Sequence, residues 1–269
     1  MVDVAEVAAS GDVAYHRGHF HPNKAPGTSI IAVPAYALIY SVERLLGAAP
    51  DRWWVLTVNA WLVSVFSVGL VTALGTVLIF RLARTLASDL DAVFTALVFA
   101  FGTMTWPHAT FLMEHNVVAV SLLAAFYCLE RAHNRRRYPD ATVAASNARR
   151  DVAYAGLCAS YAAITNYAMA ALVLVLGVYV IVRLGWGMLL RFGLAVTGPL
   201  LLLMAYNQAC FGTPLTTNYA HQNPLFVSGD QVLGVFTPPK LDVLLILLFS
   251  PFRGLFFTSP VLLLGIAGW

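Results

Sequence analysis

Long stretches of this chain carry no charged residue at all. Reading for runs without Asp, Glu, Lys or Arg gives Trp53–Phe80, Ala92–Met113, His115–Leu129, Val152–Val182 and Phe192–Gly229. A helix crossing a bilayer needs about 20 such residues, so the pattern predicts several crossings rather than the core of a water-soluble domain. The runs are punctuated by basic clusters at Arg81 and Arg84, at Arg131–Arg137 with Arg149 and Arg150, and at Arg183 and Arg191. Arginines gathered beside crossings mark the cytoplasmic side, which sets the direction of each one.

Threaded on that rule, membrane helices are expected at 53–83 running inward, 90–105 running outward and 113–132 returning. Val152–Val182 is too long for one crossing and has to bring the chain back to Arg183. A break at Thr165-Asn166-Tyr167 therefore divides it into legs 152–165 and 167–184, with Asn166 at the outer turn. A helix at 191–209 leads out into a loop, 210–240, and partial membrane segments fill 241–269. Because the helix from Trp53 starts outside, Ser29–Leu46 fits an interfacial helix bent by Pro34, with 1–27 an extracytoplasmic loop ahead of it. The expected fold class is all-α: a polytopic transmembrane helical protein in one transmembrane domain, 1–269, with an interfacial helix preceding the first retained crossing.

Composition agrees with the pattern. Hydrophobic residues make up 59% of the chain and charged residues 11%, against roughly 45–50% and about 25% in soluble domains, and the mean hydropathy is +0.75. The net charge of +3 is small, and the basic clusters lie between apolar runs rather than on a soluble face, which argues against a nucleic-acid partner. Cys128, Cys158 and Cys210 are far apart and lie in or at the ends of apolar runs, so neither a disulfide framework nor a CxxC metal site is indicated. The N-terminus lacks a signal-peptide pattern, and the C-terminal apolar run is too short to finish a crossing; a fragment is expected.

The polar residues left over collect on the expected outer side. They lie in residues 10–27, in Trp106–Asn116, at Asn166, and in the loop that leads to "SPFRGLFFTSP". Ionisable groups next to membrane segments are candidates for function, and convergence from distant parts of the chain suggests a single site. Lys24, in the "NKAPG" turn, suits an interfacial phosphate, although a lysine that snorkels to lipid headgroups would look the same. Arg253, between Pro251 and Gly254, suits a tight outer turn in which a guanidinium grips phosphate oxygens. Glu114, His115 and Asn116 open a membrane helix, where capping is the plain account and substrate orientation the functional one. Asn166 and Tyr219, with Asn218, are placed to hydrogen-bond or stack on a sugar. His16, His19 and His21 invite a divalent-metal reading, but their spacing is not a known ligand pattern and a wet interfacial loop accounts for them; no cofactor is otherwise indicated.

The motifs "GHFHPNKAPGTSIIAVPAY", "FLMEHNVVAVSLLAAFYCLER", "AAITNYAMAALVLVLGVYV", "YNQACFGTPLTTNYAH" and "SPFRGLFFTSPVLLL" resemble, in order and spacing, bacterial polytopic glycosyltransferases of the GT-C type. More distantly they are similar to the dolichyl-phosphate mannose and aminoarabinose transferases. The resemblance implies a GT-C-like fold in the bacterial inner (plasma) membrane. It implies transfer of a sugar from a polyprenyl-phosphate donor to a lipid, glycan or protein acceptor at the extracytoplasmic face, usually with inversion. It further implies a catalytic base on the first outer loop, for which Asp12 is the substitute candidate, donor-phosphate contacts at Lys24 and Arg253, and a substrate- or metal-orienting site at Glu114–Asn116. Family members begin with a crossing ahead of the acidic loop and continue past this C-terminus, so the first crossing is expected to be missing. A transporter or lipid flippase, or a truncated relic without activity, are the competing expectations.

Overall fold

The computed structural model describes residues 13–49, 51–137, 141–222, 238, 240–252 and 254–267. It is mostly helical, with one two-stranded antiparallel hairpin among the described residues. The elements are β1 (Val13–His16), β2 (His19–Pro22), α1 (Gly27–Leu46), α2 (Trp53–Ser64), α3 (Leu70–Ala83), α4 (Asp89–Phe101), α5 (Thr105–Ala109), α6 (Glu114–Arg137), α7 (Ala141–Thr165), α8 (Ala170–Leu184), α9 (Trp186–Phe211), α10 (Leu241–Phe249), α11 (Leu255–Thr258) and α12 (Leu262–Ala267). Among the described residues, four helical stretches are long and apolar enough to cross a membrane: Gly27–Leu46, Trp53–Ala83, Tyr167–Leu184 and Trp186–Phe211. The chain is read as a polytopic membrane protein on that basis.

Two departures from the sequence expectation have local causes. The 1–27 segment is not loop throughout, since residues 13–22 form the hairpin, which also departs from an all-α class. Its turn is Arg17-Gly18, both at positive φ (48° and 85°), which is the backbone of a type I′ turn and matches the twist of paired strands. The outward helix expected at 90–105 ends at Phe101 after 13 residues, about 20 Å of rise and short of a hydrocarbon core of about 30 Å. Gly102 ends it with its amide bonded back to the Val98 carbonyl at 2.8 Å. At its start, Ser88 accepts from the Asp91 amide as an N-cap, and Arg84 pairs with Asp89 at 2.7 Å.

The chain forms two compact units. One takes its described residues from Met1–Ile30 and Ser121–Thr237, the other from Ile31–Val120 and Pro238–Trp269. In the first unit the core joins α6, α7, α8 and α9 through Ala125, Leu129, Ala148, Val152, Ala155, Ala159, Val180 and Phe192. Most of the α6 and α7 contributors are alanines, and small residues let helix backbones approach closely where lipid supplies no hydrophobic drive. Gly156 marks the tightest point, because a Cβ there would lie 2.5 Å from the Phe192 carbonyl oxygen and 2.8 Å from Ala195 Cβ. One turn along, Ser160 donates to the Val196 carbonyl at 2.7 Å. At the end of the unit rich in arginine, Asp151 is 2% exposed and takes Arg131 and Arg135 at 3.3 Å each. Part of the basic cluster that reads as a topology signal is thus spent on tying α6 to α7.

In the second unit, Trp53–Ala83 runs through a π-helical segment, Val65–Gly69. Ser64, Ser67 and Thr72 turn their hydroxyls back to the carbonyls of Ala60, Val63 and Val68, four residues earlier. Beside that segment lies an apolar cavity of about 610 Å³, with Trp61, Phe66, Leu70, Phe101 and Trp106 among its lining residues.

Candidate functional site

Three stretches far apart in sequence meet in the first unit around Asn218. This side chain is fully buried. Its amide nitrogen donates to the carbonyls of Pro22 at 2.8 Å and Lys24 at 2.9 Å, and its oxygen accepts from Tyr167 OH at 3.0 Å. One asparagine thus fastens the "PNK" turn to the break between α7 and α8. Asn207 supports the loop from below, donating to the carbonyls of Pro214 and Thr216 at 3.3 and 2.7 Å.

The "APG" that follows Lys24 is held from the other side. Tyr161 OH donates to the Gly27 carbonyl at 2.7 Å, and a Cβ on Gly27 would lie 2.7 Å from Thr165 Cα. Glycine is therefore the residue that lets α1 begin against the end of α7. Lys24, with its backbone fixed at both ends, keeps an exposed side chain.

Around this knot stand other residues expected from the sequence. Asn166 occupies the break and accepts from the Ala168 amide at 3.1 Å, starting the 3-10 turn Tyr167–Met169. Tyr219 is half-buried and meets Tyr167 edge-on at 5.8 Å. Asn218, read from the sequence as a sugar contact beside Tyr219, commits its amide nitrogen and its oxygen to the protein itself. Asp12 and Arg253 lie outside the described residues.

Glu114, His115 and Asn116 belong to the second unit. Asn116 is buried, and its amide donates to Thr72 Oγ1 and to the Thr105 carbonyl, both at 2.9 Å. Its work is to fix the start of α6 against the π-bulged helix and α5. His115 is exposed and meets His108 edge-on at 4.8 Å, so the "WPHA" and "MEHN" motifs form one polar corner with Glu114.

The hairpin histidines are where sequence reasoning missed most. Opposite residues of an antiparallel pair share a face, so the pairs Ala14↔His21 and His16↔His19 put all three histidines on one side of the hairpin and Tyr15↔Phe20 on the other. Phe211 and His221 pack on the histidine side: Phe211 stacks on His221 at 4.8 Å and His16 meets His221 edge-on at 4.5 Å. Burial first, and then His19 and His16, hold His21 below the usual histidine value; burial, then His16 and His21, do the same for His221. Among the described residues no group of three or more His, Cys, Asp or Glu is arranged to hold a metal ion. The signal for the hairpin was present as four-residue stretches on either side of Arg-Gly; nothing in the sequence pointed to His221 as their neighbour. No protein-family model, no curated protein sequence and no solved structure matches this chain.

Proposed function

We propose that this chain is a membrane glycosyltransferase of the GT-C kind, which moves a sugar from a polyprenyl-phosphate carrier to a lipid, glycan or protein acceptor at the extracytoplasmic face. The observation that carries the reading is the Asn218 knot: it joins the "NKAPG", "ITNY" and "TTNYAH" motifs, on which the resemblance rests, within one unit. A lysine held in a locked, exposed turn is suited to contact a phosphate at the membrane surface. Tyr219 and Asn166, on the stretches that the knot joins, offer a ring and an amide of the kind that take sugar hydroxyls.

In this mechanism a carboxylate, with Asp12 as candidate, removes the proton from an acceptor hydroxyl. The acceptor oxygen then bonds to the anomeric carbon, the bond from that carbon to the phosphate oxygen breaks, and the polyprenyl phosphate leaves with the electron pair. Lys24 stabilises the charge that gathers on the departing phosphate, a role that the resemblance also implies for Arg253, so electrostatics and positioning supply most of the rate. Within the second unit, Glu114 and His115 are the residues to which the resemblance gives a substrate-orienting role, and Asn116 holds the start of their helix. The apolar cavity beside the π segment has the lining that a prenyl chain takes. In this reading α1 lies along the outer interface, although its length and apolarity equally fit a crossing.

Single cysteines at positions 21, 115 and 253, in a background lacking Cys128, Cys158 and Cys210, test the geometry on intact cells with a membrane-impermeant thiol reagent. The proposal expects all three to label while position 136 stays protected. Labelling of 136 with protection of 21 or 253 would overturn it. Transfer of radiolabelled sugar from undecaprenyl-phosphate donors by membranes carrying the protein tests the chemistry, and activity untouched by Lys24→Ala would remove that residue from the mechanism.

A further inference from the structure

The histidine face of the hairpin closes over a cavity of about 480 Å³ whose lining includes His16, Arg17, His19, His21, Gln208 and Cys210. Phe211 packs against both His16 and His21, at 5.9 and 5.1 Å between ring centroids, and His221 against His16 at 4.5 Å. His16 Nε2 is shielded from water and has no hydrogen-bond partner among the described residues, which is costly for a polar atom in a folded chain. Arg17 makes no hydrogen bond or ion pair among the described residues, and its guanidinium nitrogen lies 3.5 Å from the point where a Cβ on Gly212 would stand. That is ordinary van der Waals contact, so the guanidinium lies along the Gly212 backbone, which stands at φ 74°. No described carboxylate lines this cavity.

We propose that this cavity is a binding site for a phosphate-class oxyanion, gripped by the Arg17 guanidinium and hydrogen-bonded by His16, His21 and Gln208. A tetrahedral dianion accepts bonds from several directions at once, and a guanidinium with imidazoles and an amide around it is a donor set of that kind. The titratable and charged groups that face one another here are His16, Arg17, His19 and His21 on the hairpin, Cys210 on α9 and His221 on the following turn. His21 and His221, whose values burial and neighbouring imidazoles lower, gain a counter-charge when the anion enters, so binding draws in protons and strengthens as pH falls. The inference uses none of the residues assigned to sugar transfer and stands or falls apart from that reading.

Calorimetric titration of the detergent-solubilised chain with sulfate, a dianion that does not titrate in this range, and with inorganic phosphate reads the site directly. Sulfate is expected to bind at least about tenfold more tightly near about pH 5.5 than near about pH 8, corresponding to uptake of one proton. Arg17→Gly is the decisive variant: glycine suits φ 48° in the turn better than arginine, so the hairpin persists while the cation is removed. It should weaken binding about tenfold or more. His21→Gln, which keeps a donor but does not titrate, should retain binding and flatten its pH dependence. Retention of phosphatidic acid in nanodiscs, against phosphatidylcholine alone, distinguishes the source of the anion. Binding of sulfate and phosphate that depends on Arg17 supports a free-anion site, and Arg17-dependent retention of phosphatidic acid alone supports a headgroup site. No binding of any of these probes, or binding that Arg17→Gly leaves intact, overturns the proposal.

Discussion

Asn218 donates to the carbonyl of Lys24 at 2.9 Å across 194 residues of sequence. Together with the bonds to Pro22 and Tyr167, it makes this buried side chain the peg on which the "PNK" turn hangs. Asn218→Ala is expected to strand two carbonyls and a tyrosine hydroxyl, at a cost of about 2–4 kcal/mol. Asn218→Asp keeps the shape but loses both donors and should fall close to it. If the turn positions Lys24 for a donor phosphate, both variants lose transfer activity as Lys24→Ala does, although Asn218 itself reaches no substrate. Thermal unfolding in detergent beside a sugar-transfer assay reads the two effects separately; unchanged melting for Asn218→Ala would contradict the peg.

Gly27 and Thr165 set the second constraint on the same turn. A Cβ at position 27 would stand 2.7 Å from Thr165 Cα and 2.8 Å from Thr165 Cβ, closer than carbon atoms approach. Gly27→Ala should therefore push α1 off the end of α7 and destabilise by about 1–3 kcal/mol. Thr165→Gly removes the hydroxyl and Cβ but not the Cα, so the double variant should recover only part of the loss. Full additivity of the two substitutions, measured by thermal unfolding, would show that the residues do not oppose one another.

Much of this architecture was legible because membrane helices are written in composition. Trp53–Ala83 and the break at Asn166 follow from uninterrupted apolar runs and one polar interruption. Less legible were features decided by atoms far apart in sequence. Asn218 read as a ligand contact because a loop asparagine beside a tyrosine looks the same whether its amide meets a sugar or the carbonyls of Pro22 and Lys24. Asn116 read as part of a polar site, but Thr72 and the Thr105 carbonyl take its amide hydrogens. Arg131 and Arg135 counted as topology signals, while their pairing with Asp151 depends on how α6 meets α7. The hairpin was hidden by length, since four-residue strands carry little periodicity and Arg17 is an uncommon choice for a left-handed position.

Gly156 on α7 packs directly against α9, with 2.5 Å from the Phe192 carbonyl oxygen to a Cβ built on it. A side chain there cannot turn away, because both obstacles belong to the neighbouring helix and one is backbone. Gly156→Val should separate the helices, break the bond from Ser160 to the Val196 carbonyl and lower stability by about 2–3 kcal/mol. Gly193, which would meet nothing within 4 Å, is the matched control on α9: Gly193→Ala should leave the melting temperature unchanged or slightly raised. Equal losses at the two positions would mean that the close approach is not what glycine serves at 156.

His21 and His221 give the hairpin a pH dependence whose sign is fixed. Both stand below the usual histidine value, chiefly through burial and secondly through neighbouring imidazoles. Below about pH 6.5 the unfolded chain takes up protons that the folded hairpin resists, so the unfolded state binds more of them and stability rises with pH across that window. The packing of β1 and β2 against Phe211 should therefore be complete near neutrality and loosen on acidification through the lowered folded values. Replacing His221 with Phe preserves the stack on Phe211 and removes one of the two titrating groups. Amide exchange of the Ala14–His21 pair, followed between about pH 7 and about pH 5 with correction for intrinsic exchange, should show opening that increases toward acid and increases less in His221→Phe. Protection that instead strengthens toward acid without added anion would mean that the histidines are charged in the folded state and find acceptors there.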